Sequence, residues 1–211
     1  VPGAIETHAA KNITITNSEL RNLGIGGIRI GNGSSDCAIT NSAIHDISSS
    51  GIFIGNNTGH NHGYCDPGTD VTGVIVRNNY ITRTGLDIFG SSAICALYTS
   101  DTVIDHNEVC YTTYTGISLG WGWDWKNAPC SGNNTVSNNY IHDTGKTIHD
   151  GGSFYSLGLQ EGTKVFGNYL HHHSDGLYDK DGGLYTDEGS TGMELYNNVV
   201  GDGVYWWQKI W

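Results

Sequence analysis

Residues 136–141 read VSNNYI. The same pattern, apolar at both ends with Asn near its centre, recurs as ITNSEL (15–20), ITNSAI (39–44), VRNNYI (76–81), IDHNEV (104–109), VFGNYL (165–170) and LYNNVV (195–200). The closing residues Leu20, Ile44, Ile81, Val109, Ile141, Leu170 and Val200 are 30 residues apart on average. Second stretches lie between them: GIRIG, GIFIG, AICALY, GISLGW, GSFYSLG and GGLYTDEG. Self-similarity at such a period marks a repeat architecture. Apolar residues alternate with polar ones, the strand period of two, and β-branched residues fill most apolar slots. Helical spacing is missing, and the many Gly and Asn residues weaken helices.

Short strands in turns of about 30 residues describe an all-β, right-handed parallel β-helix, a solenoid of about seven coils. Like residues then stack about 4.8 Å apart. That predicts an Asn ladder at 17, 41, 78, 138 and 197, reinforced by a shifted column at 79, 107, 139, 168 and 198, with Asn supplying the left-handed bend between strands. Both columns read as scaffold. A sandwich of hairpins would leave the repeat unexplained, and the chain has one Asn-Gly turn, at 32–33. Residues 1–211 read as one β-helix domain. It begins inside a coil and stops at the apolar VYWWQKIW, so the expectation is a piece of a longer chain or of a stack of copies.

Charged residues are only 15% of the chain, and the formal net charge is −11. This disfavours nucleic acid and anionic membrane surfaces as partners. No apolar run approaches the roughly 20 residues of a membrane span. The five cysteines form no CxxC pair. Cys95 is expected to be buried in a strand, with Cys110 on the next coil facing elsewhere and unbonded to it. Cys65 and Cys130, in long loops, are the better candidates for a cross-link. Sequons at Asn12, Asn32, Asn56 and Asn133 add to an expectation of an extracellular or cell-surface glycoprotein.

Function in a repeat fold belongs where coils break pattern. One departure is GNNTGHNHGYCDPGTD (55–70). Another is GWGWDWKNAPC (120–130), where Trp121, Trp123 and Trp125 share one side if extended and offer flat faces to sugar rings. The third is YDKDGGLYTDEGS (178–190), with four carboxylates: Asp179, Asp181, Asp187 and Glu188. Aligning HDGGSFYSLG (149–158) with KDGGLYTDEG (180–189) sets Asp150 over Asp181 and Tyr155 near Tyr185. Carboxyls about 5 Å apart would share a proton unequally, giving the acid and the carboxylate of glycoside cleavage. Structural turns remain an alternative for these acids, as does Ca²⁺ held near Asp175, Asp179 and Asp181; no other cofactor is indicated. His149 adjoins Asp150 and is placed to tune it. His45, His142 and His171 fall in one coil column and read as surface residues, with no metal site expected.

The strings GISLGWGW, NNYIHD, DGGSFYSLG, GTKVFGNYLH, GGLYTDEGS and YNNVV resemble right-handed parallel β-helix glycoside hydrolases, most closely the group around glycoside hydrolase family 141. The resemblance covers about residues 104–205; residues 1–100 match only the general repeat. It implies action on cell-wall glycans such as fucosylated or xylan-type polysaccharides. Asp150 in DGGSFY, with Asp187 and Glu188 in YTDEGS, would line the cleft, and Trp121 and Trp123 match the tryptophan motif. Ser153 replaces a third glycine, and Asp179 and Asp181 are additional. Two other classes stay open: a polysaccharide lyase or epimerase, which needs Lys or Arg beside the acids to meet a uronate, and a non-catalytic surface or filament protein.

The strand between GG and DE predicts Leu184 inward and Tyr185 outward, so that Tyr155 and Tyr185 form an exposed aromatic face. Asp187 should emerge beside Tyr185 and ranks above Glu188, with Asp150 as its partner and Asp181 as a modulator. A straight strand would hold Asp150 and Asp187 more than about 15 Å apart, and only a bend at the glycines closes that gap.

Overall fold

The computed structural model describes residues 2–55, 68–123, 130–174 and 181–211. Among them every strand pairing is parallel, and three long sheets run the length of a solenoid. The first sheet has eight strands, from Gly3–Thr7 through Gly152–Ser156 and Gly182–Thr186 to Trp206–Ile210. The second has seven, from Thr14–Thr16 to Met193–Tyr196, and the third has seven, from Glu19–Leu23 to Val199–Val200. Each of the first seven turns contributes one strand to each sheet, in that order, and Trp206–Ile210 adds an eighth to the first.

Two kinds of asparagine make the corner between the second and third sheets. Asn17, Asn41, Asn78, Asn138 and Asn197 have φ between 50° and 54°, the left-handed conformation that turns the chain. The continuous relay runs one position later, where Asn79, Asn107, Asn139 and Asn168 are buried. Asn139 Oδ1 accepts from the Asn107 backbone N–H at 3.0 Å, and Asn168 Oδ1 accepts from that of Asn139 at 2.9 Å. Each Nδ2 group donates to a carbonyl of the coil before, as Asn139 does to Ile104 at 2.9 Å. The shifted column is thus the true ladder, and the first column is chiefly a turn device. Asn139→Ala should lower unfolding free energy by roughly 2 kcal/mol, because it strands buried donors and acceptors on both neighbouring coils. Asn138→Ala, at an exposed turn, should cost about half as much, and urea titration of the two variants measures the difference.

Inside, the closing residues of the repeat stack as expected. Ile44, Ile81, Val109, Ile141 and Leu170 are fully buried, with Leu20 and Val200 partly covered at the ends. Leu184 joins this core and Tyr185 points away from it.

Cys37, Cys95 and Cys110 carry free thiols, so Cys95 and Cys110 are unbonded as expected. Cys110 is buried, but Cys95 is not a core residue: it lies half-buried on the outer face of the first sheet, against Leu97 and Tyr98. Cys65, Asn56, Trp125, Asp175 and Asp179 lie outside the described residues. Asn12 and Asn133 are exposed, whereas Asn32 is half-buried with its Oδ1 enclosed.

Candidate functional site: an acidic groove on the first sheet

The outward residues of the first sheet form one column across the coils. Successive partners are Glu6, Arg29, Phe53, Cys95, Ser118, Tyr155, Tyr185 and Lys209. Two hollows open above it. One, of about 390 Å³, is lined by Tyr114, Trp123, Asp150, Tyr155, Tyr185, Asp187, Glu188, Lys209 and Trp211. The other, of about 300 Å³, shares Tyr114 and Tyr155 and continues past Trp121 and Ser118 toward Cys95, Phe53 and Arg29. Together they make a groove across the coils, within the size range of ligand sites.

At the floor of the acidic end, the rings of Tyr155 and Tyr185 meet edge to face, with centroids 5.2 Å apart. Both are nearly buried, and both line the hollow. The exposed aromatic face expected of them is therefore absent: Leu157 and each other's rings cover them. Tyr155 Oη donates to Asp187 Oδ2 at 2.5 Å. Tyr185 Oη lies 3.2 Å from Asp150 Oδ1 and 3.4 Å from Asp187 Oδ1. Those two carboxylate oxygens are thus no more than about 6.6 Å apart, the length of both contacts end to end.

The phenols remain donors throughout the ordinary pH range. Burial, then the hydrogen bond to Asp187, drives the Tyr155 hydroxyl far above its usual value. Burial and the neighbouring charges of Asp187 and Asp150 do the same for Tyr185. Burial pushes Tyr114 up to about 12.

The gap expected between Asp150 and Asp187 closes because the chain bends before its strand. Asp150 has a φ of 67°, a conformation that suits Asp better than most residues. Gly151 follows, where an added Cβ would sit 2.7 Å from the Tyr114 ring and 2.8 Å from Thr115 Oγ1. Tyr114 Oη donates to the Asp150 carbonyl at 3.0 Å. From below, Asp181 Oδ1 accepts from the Asp150 backbone N–H at 2.8 Å and from that of Gly151 at 3.4 Å.

Asp181 therefore differs from expectation. Its side chain is fully buried and holds the backbone of Asp150, and it does not line the hollow that Asp150 lines. Its other oxygen takes the Nδ1 proton of His149 at 2.9 Å. His173 Nε2 lies 3.9 Å from Asp181 Oδ1 and has no hydrogen-bond partner, while His173 Nδ1 pairs with Thr144 Oγ1 at 2.7 Å. His173 is fully enclosed, and burial pulls its imidazole down to about 4.

Asp187 is half-buried, and Glu188 is exposed on the rim. Trp121 and Trp123 pack edge to face at 5.5 Å and line different hollows, not one shared face. Sequence reading missed three residues of the acidic hollow: Tyr114, Lys209 and Trp211. Lys209 Nζ sits 4.5 Å above the Tyr185 ring and 5.5 Å from that of Trp211. Aligning WWQKI on GGLYT, in register with it, would have placed Lys209 over Tyr185, but the last coil has no glycine pair to anchor that alignment.

The stacked coils define a parallel β-helix with a groove across one sheet. The family described as "Right handed beta helix region" matches residues 3–200, and the chain belongs to that family. Among solved structures it is similar to one titled "Glycoside hydrolase", at 27% identity and a TM-score of 0.82, over 99% of this chain and 38% of that one. It is also similar to an alginate lyase from Paenibacillus sp. str. FPU-7, at 18% identity and a TM-score of 0.42, over 93% of this chain and 68% of that one. No curated protein gives a significant match. The chain thus spans well under half the length of the glycoside hydrolase it matches.

Proposed function

We propose that the groove cleaves glycosidic bonds in an extracellular polysaccharide, with Asp187 as nucleophile and Asp150 as general acid and base. The observation that carries this reading is the Tyr185 hydroxyl within hydrogen-bonding distance of both carboxylates. A ceiling of about 6.6 Å between those oxygens admits the spacing of a retaining mechanism, about 5–5.5 Å between the carboxyl groups. Asp150 protonates the glycosidic oxygen as its bond to the anomeric carbon breaks. Asp187 Oδ1 attacks that carbon and forms a glycosyl ester, while Oδ2 stays held by Tyr155. Water, losing a proton to Asp150, then releases the sugar and restores both acids.

Around this pair, Trp123 and Trp211 offer faces to sugar rings, Trp121 extends the platform into the second hollow, and Glu188 meets hydroxyls at the rim. Asp181, steadied by His149, is a positioning residue that acts through the Asp150 backbone. The likeness to a glycoside hydrolase at 27% identity supports the reading, as do the exposed sequons at Asn12 and Asn133 for an exported protein.

Lys209 favours a second reading, a lyase or epimerase in which its ammonium meets a uronate carboxylate. Incubation with neutral and uronate-containing polysaccharides separates the two. Hydrolysis yields new reducing ends without ultraviolet-absorbing unsaturated uronates, and NMR should find the first product with the anomeric configuration of the substrate. Unsaturated products would replace the hydrolase by the lyase. Retention on polysaccharide gels without cleavage of any substrate would leave a binding protein.

A further inference from the structure

We propose that Glu108, Cys110 and His142 bind a divalent cation of the zinc class on the outer face of the third sheet, away from the groove. Glu108 and Cys110 alternate along the strand Glu108–Thr112, so both point outward. Cys110 pairs in register with His142 on the next coil. One ligand atom from each residue lies within 4.8 Å of the other two. Donors around a tetrahedral zinc ion with bonds of about 2.0–2.3 Å stand roughly 3.3–3.8 Å apart, so small side-chain adjustments close the site. His142 Nε2 and Glu108 Oε1, 3.5 Å apart, already match that spacing.

The histidine is prepared for the role. Its Nδ1–H donates to Asp143 Oδ2 at 2.9 Å, and Lys146 Nζ holds the other oxygen of Asp143 at 2.9 Å. In that tautomer the Nε2 lone pair faces Glu108 Oε1 at 3.5 Å, a contact that a proton or a cation between the two makes favourable. A cation between them satisfies both, and a carboxylate behind the ligating histidine is the usual outer support of such sites. Cys110 Sγ has only long contacts, 3.4 Å to Thr82 Oγ1 and 3.9 Å to Tyr80 Oη. Cys110 and His142 are sunk into the surface, and Glu108 is exposed, which leaves the fourth position open on its side. The ring of Tyr140, 4.3 Å from that of His142, walls the site. Beyond it the set ends, because His171 Nε2 is taken by Tyr140 Oη at 2.9 Å. Thiolate, imidazole and carboxylate together select zinc-like ions over calcium or magnesium. Reading the histidines as a column concealed this site, because Cys110 stands in that column beside His142 and Glu108 lies in the neighbouring one.

Cobalt(II) added to the reduced full chain tests the proposal. The expected result is one equivalent bound with a sulfur-to-cobalt charge-transfer band and strong tetrahedral visible bands, all displaced by Zn²⁺. Cys110→Ser should remove the charge-transfer band. Glu108→Gln, a surface change that leaves folding intact, should weaken Zn²⁺ binding in competition calorimetry at least about tenfold, the least that lost ligand partners cost. His171→Ala should leave affinity unchanged. Absence of a saturable band, its persistence in Cys110→Ser, full affinity in Glu108→Gln, or equal loss in His171→Ala would each overturn the assignment.

Discussion

Asp187→Asn is expected to reduce glycan hydrolysis by at least about three orders of magnitude, roughly 4 kcal/mol of transition-state stabilisation. The amide keeps the shape and can still accept from Tyr155, so folding should survive. What it loses is the oxygen nucleophile that carries the sugar between the two half-reactions. Asp150→Asn should behave differently. It removes the proton donor, so the loss should be large for a natural glycan with a poor leaving group and much smaller for an activated aryl glycoside. Tyr155→Phe takes away the 2.5 Å hydrogen bond that orients Asp187, and a loss of about 10- to 100-fold is expected. Steady-state kinetics on both substrate types, with thermal unfolding as the folding control, separate these cases. Activity in Asp187→Asn within tenfold of the unaltered protein would remove it from the role of nucleophile.

The solenoid was legible because its signal is periodic. A closing apolar residue every 30 positions on average survives local irregularity, and Ile44, Ile81, Val109, Ile141 and Leu170 could be placed inside before any coordinate was known. The direction of Leu184 and Tyr185 followed from strand alternation in the same way. The finer placement of the acids did not. Alignment on the glycine pairs put Asp150 over Asp181, but the strands pair Gly152 with Gly182, one residue out, so Asp181 falls beside Gly151 and reaches the Asp150 N–H with its side chain. Side-chain direction depends on φ at Asp150 and on the space beside Gly151, and neither is written in a hydrophobic pattern. The tyrosines illustrate the same limit. An outward residue on a sheet is exposed only if nothing stands over it, and Tyr155 and Tyr185 stand over one another.

The unfolding free energy should fall by roughly 3 kcal/mol as pH drops from about 6.5 to about 4, chiefly because of His173. Its imidazole is fully enclosed, and burial lowers it from 6.5 to about 4. Across that window the unfolded chain binds a proton that the folded chain refuses, so stability is complete above 6.5 and declines toward 4. Other groups do not account for such a slope. His171, also lowered by burial, adds to it, but His45, raised mainly by its hydrogen bond to Asp46, opposes it. Burial alone would raise Asp105, but hydrogen bonds from His106, Ser137 and Asn138 outweigh it and hold the carboxyl at about 2, so its contribution is lost only at lower pH. Asp46, held low by Arg83 and then by His45, also acts below the window. His173→Leu isolates the effect, because the same column already holds leucine at Leu23, and Thr144 Oγ1 keeps Ser153 as a partner at 3.1 Å. Denaturant titrations from pH 4 to 7 should show the slope in the unaltered protein and most of it gone in the variant. An equal slope in both would mean that His173 is already protonated when folded, paired with Asp181 3.9 Å away. The buried carboxylate would then be held by two histidines, and the support under Asp150 would be a charged network, not a single acid accepting from backbone N–H groups.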